Sequence, residues 1–164
     1  MCGFTGFIGE VNNAQEVLQN MMNQIIHRGP DSGGQFNEGK ANLGFRRLSI
    51  IDLAHGSQPL YNEDESLVLT FNGEIYNFQS IREDLIAKGH IFKTNTDSEV
   101  LIHGYEEYGP ELVSKLRGMF AFVIWDRNKE KLFAARDHFG IKPFYYAQMN
   151  DTLFFGSEIK SFLP

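Results

Sequence analysis

The chemistry this chain can perform centres on its second residue. Met1-Cys2-Gly3 opens the 164-residue sequence, and Cys2 is its single cysteine. At an arbitrary position a lone cysteine is most simply a small buried hydrophobe. Residue 2 differs, because removal of Met1 gives one residue both a thiol and a free α-amine. With ordinary pKa values of about 8.5 for the thiol and about 7.7–8.0 for the amine, the amine can take the thiol proton near neutral pH, directly or through water. No catalytic histidine is then required. Gly3 and Gly6 remove Cβ atoms beside this terminus, which suits either close approach of a substrate or tight packing.

Acyl transfer also needs donors for the oxyanion of a tetrahedral intermediate. Phe71-Asn72-Gly73-Glu74 offers an Asn side-chain amide and an unhindered Gly N–H, although Asn-Gly alone is more simply a turn. An amino-acid substrate would need a cation for its carboxylate and an anion for its ammonium, and Arg47 and Asp97 are candidates. Arg47 can pair bidentately with a carboxylate, or be an ordinary salt-bridged arginine. Asp97 has a simpler explanation as a carboxylate at a helix start. The turn-rich run at residues 27–34 reads as a loop, one that can line a pocket. Residues 136–143 combine paired charges with an aromatic and a glycine, and read as a buried ionic corner.

Composition narrows the setting. A net charge of -6 and a chain 42% hydrophobic and 22% charged describe one globular domain with material for a sizeable core. The acidic balance argues against nucleic acid and anionic membranes as partners. No run approaches the ~18 apolar residues of a membrane span, and the N-terminus lacks a secretory layout. With one cysteine and no disulfide, a cytoplasmic location is expected. The five histidines (His27, His55, His90, His103 and His138) are scattered without familiar ligand spacing, so no metal is expected.

Apolar periodicity predicts a helix over 13–26, capped by Asn12 or Asn13. A second is predicted from Ser80, with Ser80 and Glu83 as a capping box and Gly89 as its stop; Thr96 and Glu99 repeat the box before a third. Gly109 and Pro110 then start a short fourth. Runs rich in β-branched and aromatic residues at 44–51, 67–71, 119–125, 132–135, 144–147 and 152–155 read as strands, several joined by tight hairpins. Residues 157–164 read as the start of a helix. The outcome is a layered α+β domain.

These stretches together resemble the class II, N-terminal-nucleophile glutaminase domain, most closely that of glutamine-hydrolysing asparagine synthetase. The resemblance runs through Met1-Cys2-Gly3, residues 27–32 and 47–52, Gln58-Pro59-Leu60, residues 72–77, Asp97-Ser98-Glu99, residues 118–122 and 136–143, and Ser157-Glu158. It implies a four-layer αββα sandwich of two antiparallel sheets over residues 1–164. Cys2 would be the nucleophile, its α-amine the base and acid, and Asn72 with the Gly73 N–H the oxyanion hole. Arg47 would hold the glutamine α-carboxylate, backbone from Leu48, Ser49, Ile50 and Ile51 would line the pocket, and Asp97 beside Glu74 would hold the α-ammonium. Glutamine would be hydrolysed to glutamate and ammonia, the ammonia serving ATP-dependent asparagine synthesis in a C-terminal synthetase domain absent from this chain.

The resemblance implies no cofactor in this domain. ATP and magnesium are expected only in the missing synthetase domain, since Ser32-Gly33-Gly34 is followed by Gln35-Phe36-Asn37 rather than by a pyrophosphate loop. Expected partners are glutamine, the synthetase domain and a possible homodimer mate. Two alternatives stay open: an asparagine-synthetase-like amidotransferase with another acceptor, and a silent glutamine-binding module if Met1 is retained.

Overall fold

The computed structural model describes residues 1–48 and 57–164. Its first sheet contains β1 (Gly3–Ile8), β2 (Ser32–Glu38), β3 (Ala41–Arg47), β8 (Tyr145–Met149) and β9 (Thr152–Gly156) in the order β2-β3-β1-β9-β8. The second contains β4 (Leu60–Tyr61), β5 (Leu67–Ile75), β6 (Gly118–Asp126) and β7 (Lys131–Arg136) in that order. Every strand pairing is antiparallel. The helices are α1 (Ala14–Gln24), α2 (Phe78–Ala87), α3 (Glu99–Tyr108) and the single turn α4 (Leu112–Lys115).

Side-chain alternation along the strands creates the layers. Leu67, Leu69, Phe71 and Ile75 of β5, with Phe120, Phe122 and Ile124 of β6, pack under Ile81 and Leu85 of α2 and Val100 to Ile102 of α3. The opposite faces of those strands present Val68, Val123 and Trp125 to Phe4, Leu43, Phe45 and Phe155 of the other sheet. On the outer side of the first sheet, Phe7 meets Leu18, Met21 and Met22 of α1. Both sheets are thus covered on both faces, which explains why the central strands lack polar alternation. The order α1, sheet, sheet, α2/α3 is the expected four-layer αββα sandwich.

Several boundaries differ from the sequence reading. Strand β1 fills both sides of the first sheet's centre, and β2 continues directly from the presumed loop. Gly33 and Gly34 are strand residues because the chain there runs close to its neighbours: a Cβ on Gly34 would lie 2.0 Å from the Gln58 carbonyl oxygen. Helix α1 starts after a left-handed Asn13 (φ 57°) that makes no side-chain cap. Helix α2 starts at Phe78, and Ser80 Oγ donates back to the Asn77 carbonyl at 3.0 Å instead of capping. Helix α3 starts at Glu99, with Ser98 rather than Thr96 at its N-cap position. Residues 159–162 form a 3₁₀ turn. The predicted strand at 44–51 is observed as β3, and Ser49, Ile50 and Ile51 lie outside the described residues.

Candidate active site

Cys2 immediately precedes β1 and, by strand alternation with Phe4, packs half-buried against the inter-sheet core. Leu48 follows β3, which pairs with β1 in the register Gly3↔Arg46. That register brings the Leu48 backbone to the sulfur: the Leu48 N–H donates to Cys2 Sγ at 3.4 Å, and the thiol faces the Leu48 carbonyl at 3.6 Å. Arg47 shares the inter-sheet parity of Leu43 and Phe45 and is 8% exposed. The cysteine, the guanidinium and the Leu48 backbone therefore meet at one end of the first sheet.

Asn72 and Gly73 lie within β5, not in a turn. Pairing of β5 with β6 alternates: the Tyr76 N–H donates to Arg117 O and the Arg127 N–H to Ser66 O, so even-numbered β5 residues bond toward β6. Odd-numbered ones face the other edge, where β4 pairs only with Val68 and Leu69. Beyond β4, the Gln58 side chain takes over as a surrogate strand. Its Oε1 accepts the Phe71 N–H at 2.7 Å and its Nε2 donates to Phe71 O at 3.1 Å. At the far end, Asp97 Oδ2 accepts the Ile75 N–H at 2.8 Å. The Gly73 N–H sits between these two caps and points out of the same open edge.

Asn72 shares the parity of Val68 and faces the inter-sheet layer. It is 3% exposed, and its Nδ2 has no hydrogen-bond partner among the described residues. A buried unpaired amide costs roughly 1–3 kcal/mol, so it marks a donor reserved for something else. Gly73 is dictated by the backbone: a Cβ there would lie 2.2 Å from Met119 O.

Asp97 and Glu74 supply the negative side. Burial pushes the Asp97 carboxyl above its ordinary range, and the neighbouring Glu74 carboxylate pushes it the same way, against the lowering effect of the Ile75 N–H. The two carboxyl groups together concentrate negative charge beside the end of β5.

Arg28 was not singled out by sequence reasoning. Its Nε donates to the Cys2 carbonyl at 3.1 Å and its Nη1 to Glu158 Oε1 at 3.1 Å. Its stem packs on Gly3, where a Cβ would lie 2.9 Å from Arg28 Cδ. Burial disfavours the Glu158 carboxylate, but hydrogen bonds from Arg28 and His27 outweigh it and hold its pKa below the usual glutamate value. Next to it, Ser157 Oγ accepts the Phe4 N–H at 3.1 Å. The available signal was the Gly3/Arg28 pairing of a missing Cβ with a long cation, which sequence distance conceals.

The corner at 136–143 is structural, as expected. Asp137 accepts the backbone N–H groups of Phe120, Phe139, Ile141 and Lys142 at 2.9–3.1 Å. Beside this corner, Lys142 Nζ donates to Met1 Sδ at 3.0 Å.

The family model for the glutamine amidotransferase domain matches residues 1–164. The chain belongs to that family. Amidotransferase domains of this kind are enzymes, and among curated relatives the chain is 50% identical over 168 residues to asparagine synthetase [glutamine-hydrolyzing] 1 of Bacillus subtilis, covering 99% of this chain and 27% of that protein. Asparagine synthetase [glutamine-hydrolyzing] 2 of the same organism is 46% identical, with 98% and 22% covered. Asparagine synthetase [glutamine-hydrolyzing] 3 of Arabidopsis thaliana is 42% identical, with 98% and 28% covered. This amidotransferase domain thus spans about a quarter of the length of the curated relatives it matches. Among solved structures, the glutamine phosphoribosylpyrophosphate amidotransferase from B. subtilis superposes with a TM-score of 0.82 at 24% identity, covering 98% of this chain and 43% of that one. That likeness supports the sandwich fold. Among the described residues no helix is long and apolar enough to cross a membrane.

Proposed function

We propose that this domain hydrolyses the side-chain amide of glutamine through Cys2. The observation that carries the reading is the unpartnered Asn72 Nδ2, buried in the inter-sheet layer beside a Gly73 N–H turned to an open strand edge. Two such donors form an oxyanion hole.

After excision of Met1, the Cys2 α-amine takes the thiol proton and the sulfur attacks the glutamine δ-carbon. The resulting oxyanion receives hydrogen bonds from Asn72 and Gly73. The protonated amine returns its proton to the leaving nitrogen, the C–N bond breaks and ammonia departs. Water then attacks the γ-glutamyl thioester, giving glutamate and regenerating the thiol. Arg47 holds the glutamine α-carboxylate, Asp97 beside Glu74 holds the α-ammonium, and the Leu48 backbone lines the pocket beside the sulfur. Fixing both charged ends sets the distance at which the amide meets sulfur, which selects glutamine over the shorter asparagine.

The relatives' names support a further step, that the ammonia feeds asparagine synthesis; a C-terminal synthetase domain using ATP and magnesium would carry out that synthesis. On this reading the domain itself uses no cofactor and works in the cytoplasm, and a homodimer is compatible with it. Intact-mass measurement with a glutamate-release assay tests the central claim. Protein lacking Met1 is expected to release glutamate and ammonia in equal amounts, and Cys2→Ala to release neither. Glutamate production that survives Cys2→Ala overturns the assignment, and a Met1-retaining sample is expected to be inactive.

A further inference from the structure

We infer that Glu63, His90, His103 and Glu106 form a binding site for a divalent first-row transition ion of the zinc type, on the helical side of the second sheet. The four residues come from three segments: Glu63 from the turn before β5, His90 from the residues after α2, and His103 and Glu106 from α3. One ligand atom of each lies within 4.8 Å of all the others.

The second observation is His103 itself. It is 1% exposed, and its Nδ1 makes no hydrogen bond although it lies 3.2 Å from Glu63 Oε2. Its other nitrogen, Nε2, lies 3.4 Å from Glu99 Oε1. Glu99 also accepts the N–H groups of Lys93 and Thr94 at 2.6 and 2.7 Å. With Glu99 already accepting two backbone N–H groups, a hydrogen bond to it is donated from His103 Nε2, and the neutral tautomer that makes it turns an Nδ1 lone pair into the cluster. A lone pair and a carboxylate oxygen at 3.2 Å repel unless a positive charge, a metal ion or the proton of an imidazolium, lies between them.

His90 repeats the arrangement. Its Nδ1 lies 3.6 Å from Glu63 Oε1 and 3.9 Å from Glu106 Oε2, while its Nε2 lies 3.6 Å from Glu107 Oε2. Each imidazole thus turns one nitrogen to the shared centre and the other to an outer carboxylate, the arrangement that orients histidines on metals. Zinc bonds of about 2.0–2.2 Å to nitrogen and oxygen place tetrahedral ligands about 3.3–3.6 Å apart, and the nitrogen–oxygen separations of 3.2, 3.6 and 3.9 Å here bracket that range, so small side-chain shifts close the site. The mixed imidazole and carboxylate donors suit zinc better than calcium or magnesium, which take oxygen ligands. Four protein ligands close the coordination sphere, so the ion's role is structural: it ties the Glu63 turn and the end of α2 to α3.

The test is a zinc titration, by competition with a chromophoric chelator, on chelator-treated protein carrying Cys2→Ser to remove the other soft ligand. One equivalent is expected to bind, to raise the unfolding midpoint with zinc concentration, and to give a tetrahedral visible spectrum with cobalt(II). His90→Ala and Glu106→Gln, both at partly exposed positions, should each weaken zinc at least ~10-fold, and Glu99→Gln about 10-fold. Absence of saturable one-equivalent binding overturns the proposal and leaves an ion-pair network. Affinity unchanged in both His90→Ala and Glu106→Gln overturns it as well.

Discussion

Asp97 accepts the Ile75 backbone N–H at 2.8 Å, so the residue proposed to hold the substrate's ammonium also ends the hydrogen-bonding of β5. Asp97→Asn keeps a carbonyl acceptor for Ile75 but removes the charge. A charge-assisted hydrogen bond contributes roughly 1.5–3 kcal/mol, so KM for glutamine should rise at least ~10-fold with kcat little changed. Because burial and Glu74 raise the Asp97 pKa, the anion that binds ammonium is lost at a pH above the ordinary carboxylate range. In wild type, kcat/KM should therefore fall with acidification there, and Asp97→Asn should flatten that limb. A steady-state pH profile of both proteins checks it, and an unchanged limb refutes the role.

Asn72→Ala separates activity from stability. Loss of one oxyanion donor should lower kcat ~10²-fold or more. Since Asn72 Nδ2 is buried without a partner, its removal should leave the unfolding free energy unchanged or slightly higher. Denaturant melts beside turnover assays decide between this and an ordinary structural asparagine, whose removal would cost stability.

Gly73→Ala should behave differently. Its Cβ would meet Met119 O at 2.2 Å, so the β5–β6 pairing must shift. Activity and unfolding midpoint are expected to drop together; an active, fully stable Gly73→Ala protein would contradict the geometry.

The predictions just made rest on residues of unequal visibility in the sequence. Cys2 was legible because its chemistry follows from position, and Asn72-Gly73 because an amide beside an unhindered N–H is a donor pair. That the pair lies inside a strand was not legible, since Asn-Gly is a turn signal and only the β6 register overrides it. Strand β2 is hidden because Gly33 and Gly34 read as loop, whereas Gly34 serves close approach to Gln58; in β1, the tight-packing reading of Gly3 and Gly6 is the one observed, against Arg28 and Asn42. Glu99 was read as a capping residue, but its side chain turns to the Lys93 and Thr94 N–H groups. The histidines look scattered because residues 63, 90, 103 and 106 meet only after α2 and α3 dock; the one local hint was Glu99, His103 and Glu106 on a common helical face.

Arg28→Lys should expose the clamp behind the proposed nucleophile, Cys2. Lysine retains the charge but not the fork that reaches Cys2 O and Glu158 together. The expected result is a fall in kcat of roughly 10-fold with KM nearly constant, as for displacement of a reacting group. Equal loss in a substrate-binding assay would point instead to general damage.

Asp137→Asn should destabilise by at least about 2 kcal/mol, because a carboxylate accepting four N–H groups becomes an amide that must turn a donor toward some of them. Burial disfavours the Asp137 anion, but the hydrogen bonds from Lys142, Ile141, Phe120 and Phe139 outweigh it and lower the pKa in the fold. Its stabilisation is therefore full above the unfolded value near ~3.9 and declines as pH falls toward the lower folded value. Urea melts of both proteins from pH 6 to pH 3 should show the difference narrowing only at the acidic end.

The placement of β1 between β3 and β9 also governs when the domain becomes competent during synthesis. One neighbour of this strand is supplied by residues 41–46 and the other by residues 153–156, so its second hydrogen-bonded edge waits for almost the whole chain to leave the ribosome. Such long-range pairing is slow to close and leaves an open edge meanwhile. Residues 3–8 thus precede every other strand in the chain yet are among the last to be fully built in, so Cys2 keeps an incomplete setting until residues 153–156 have docked.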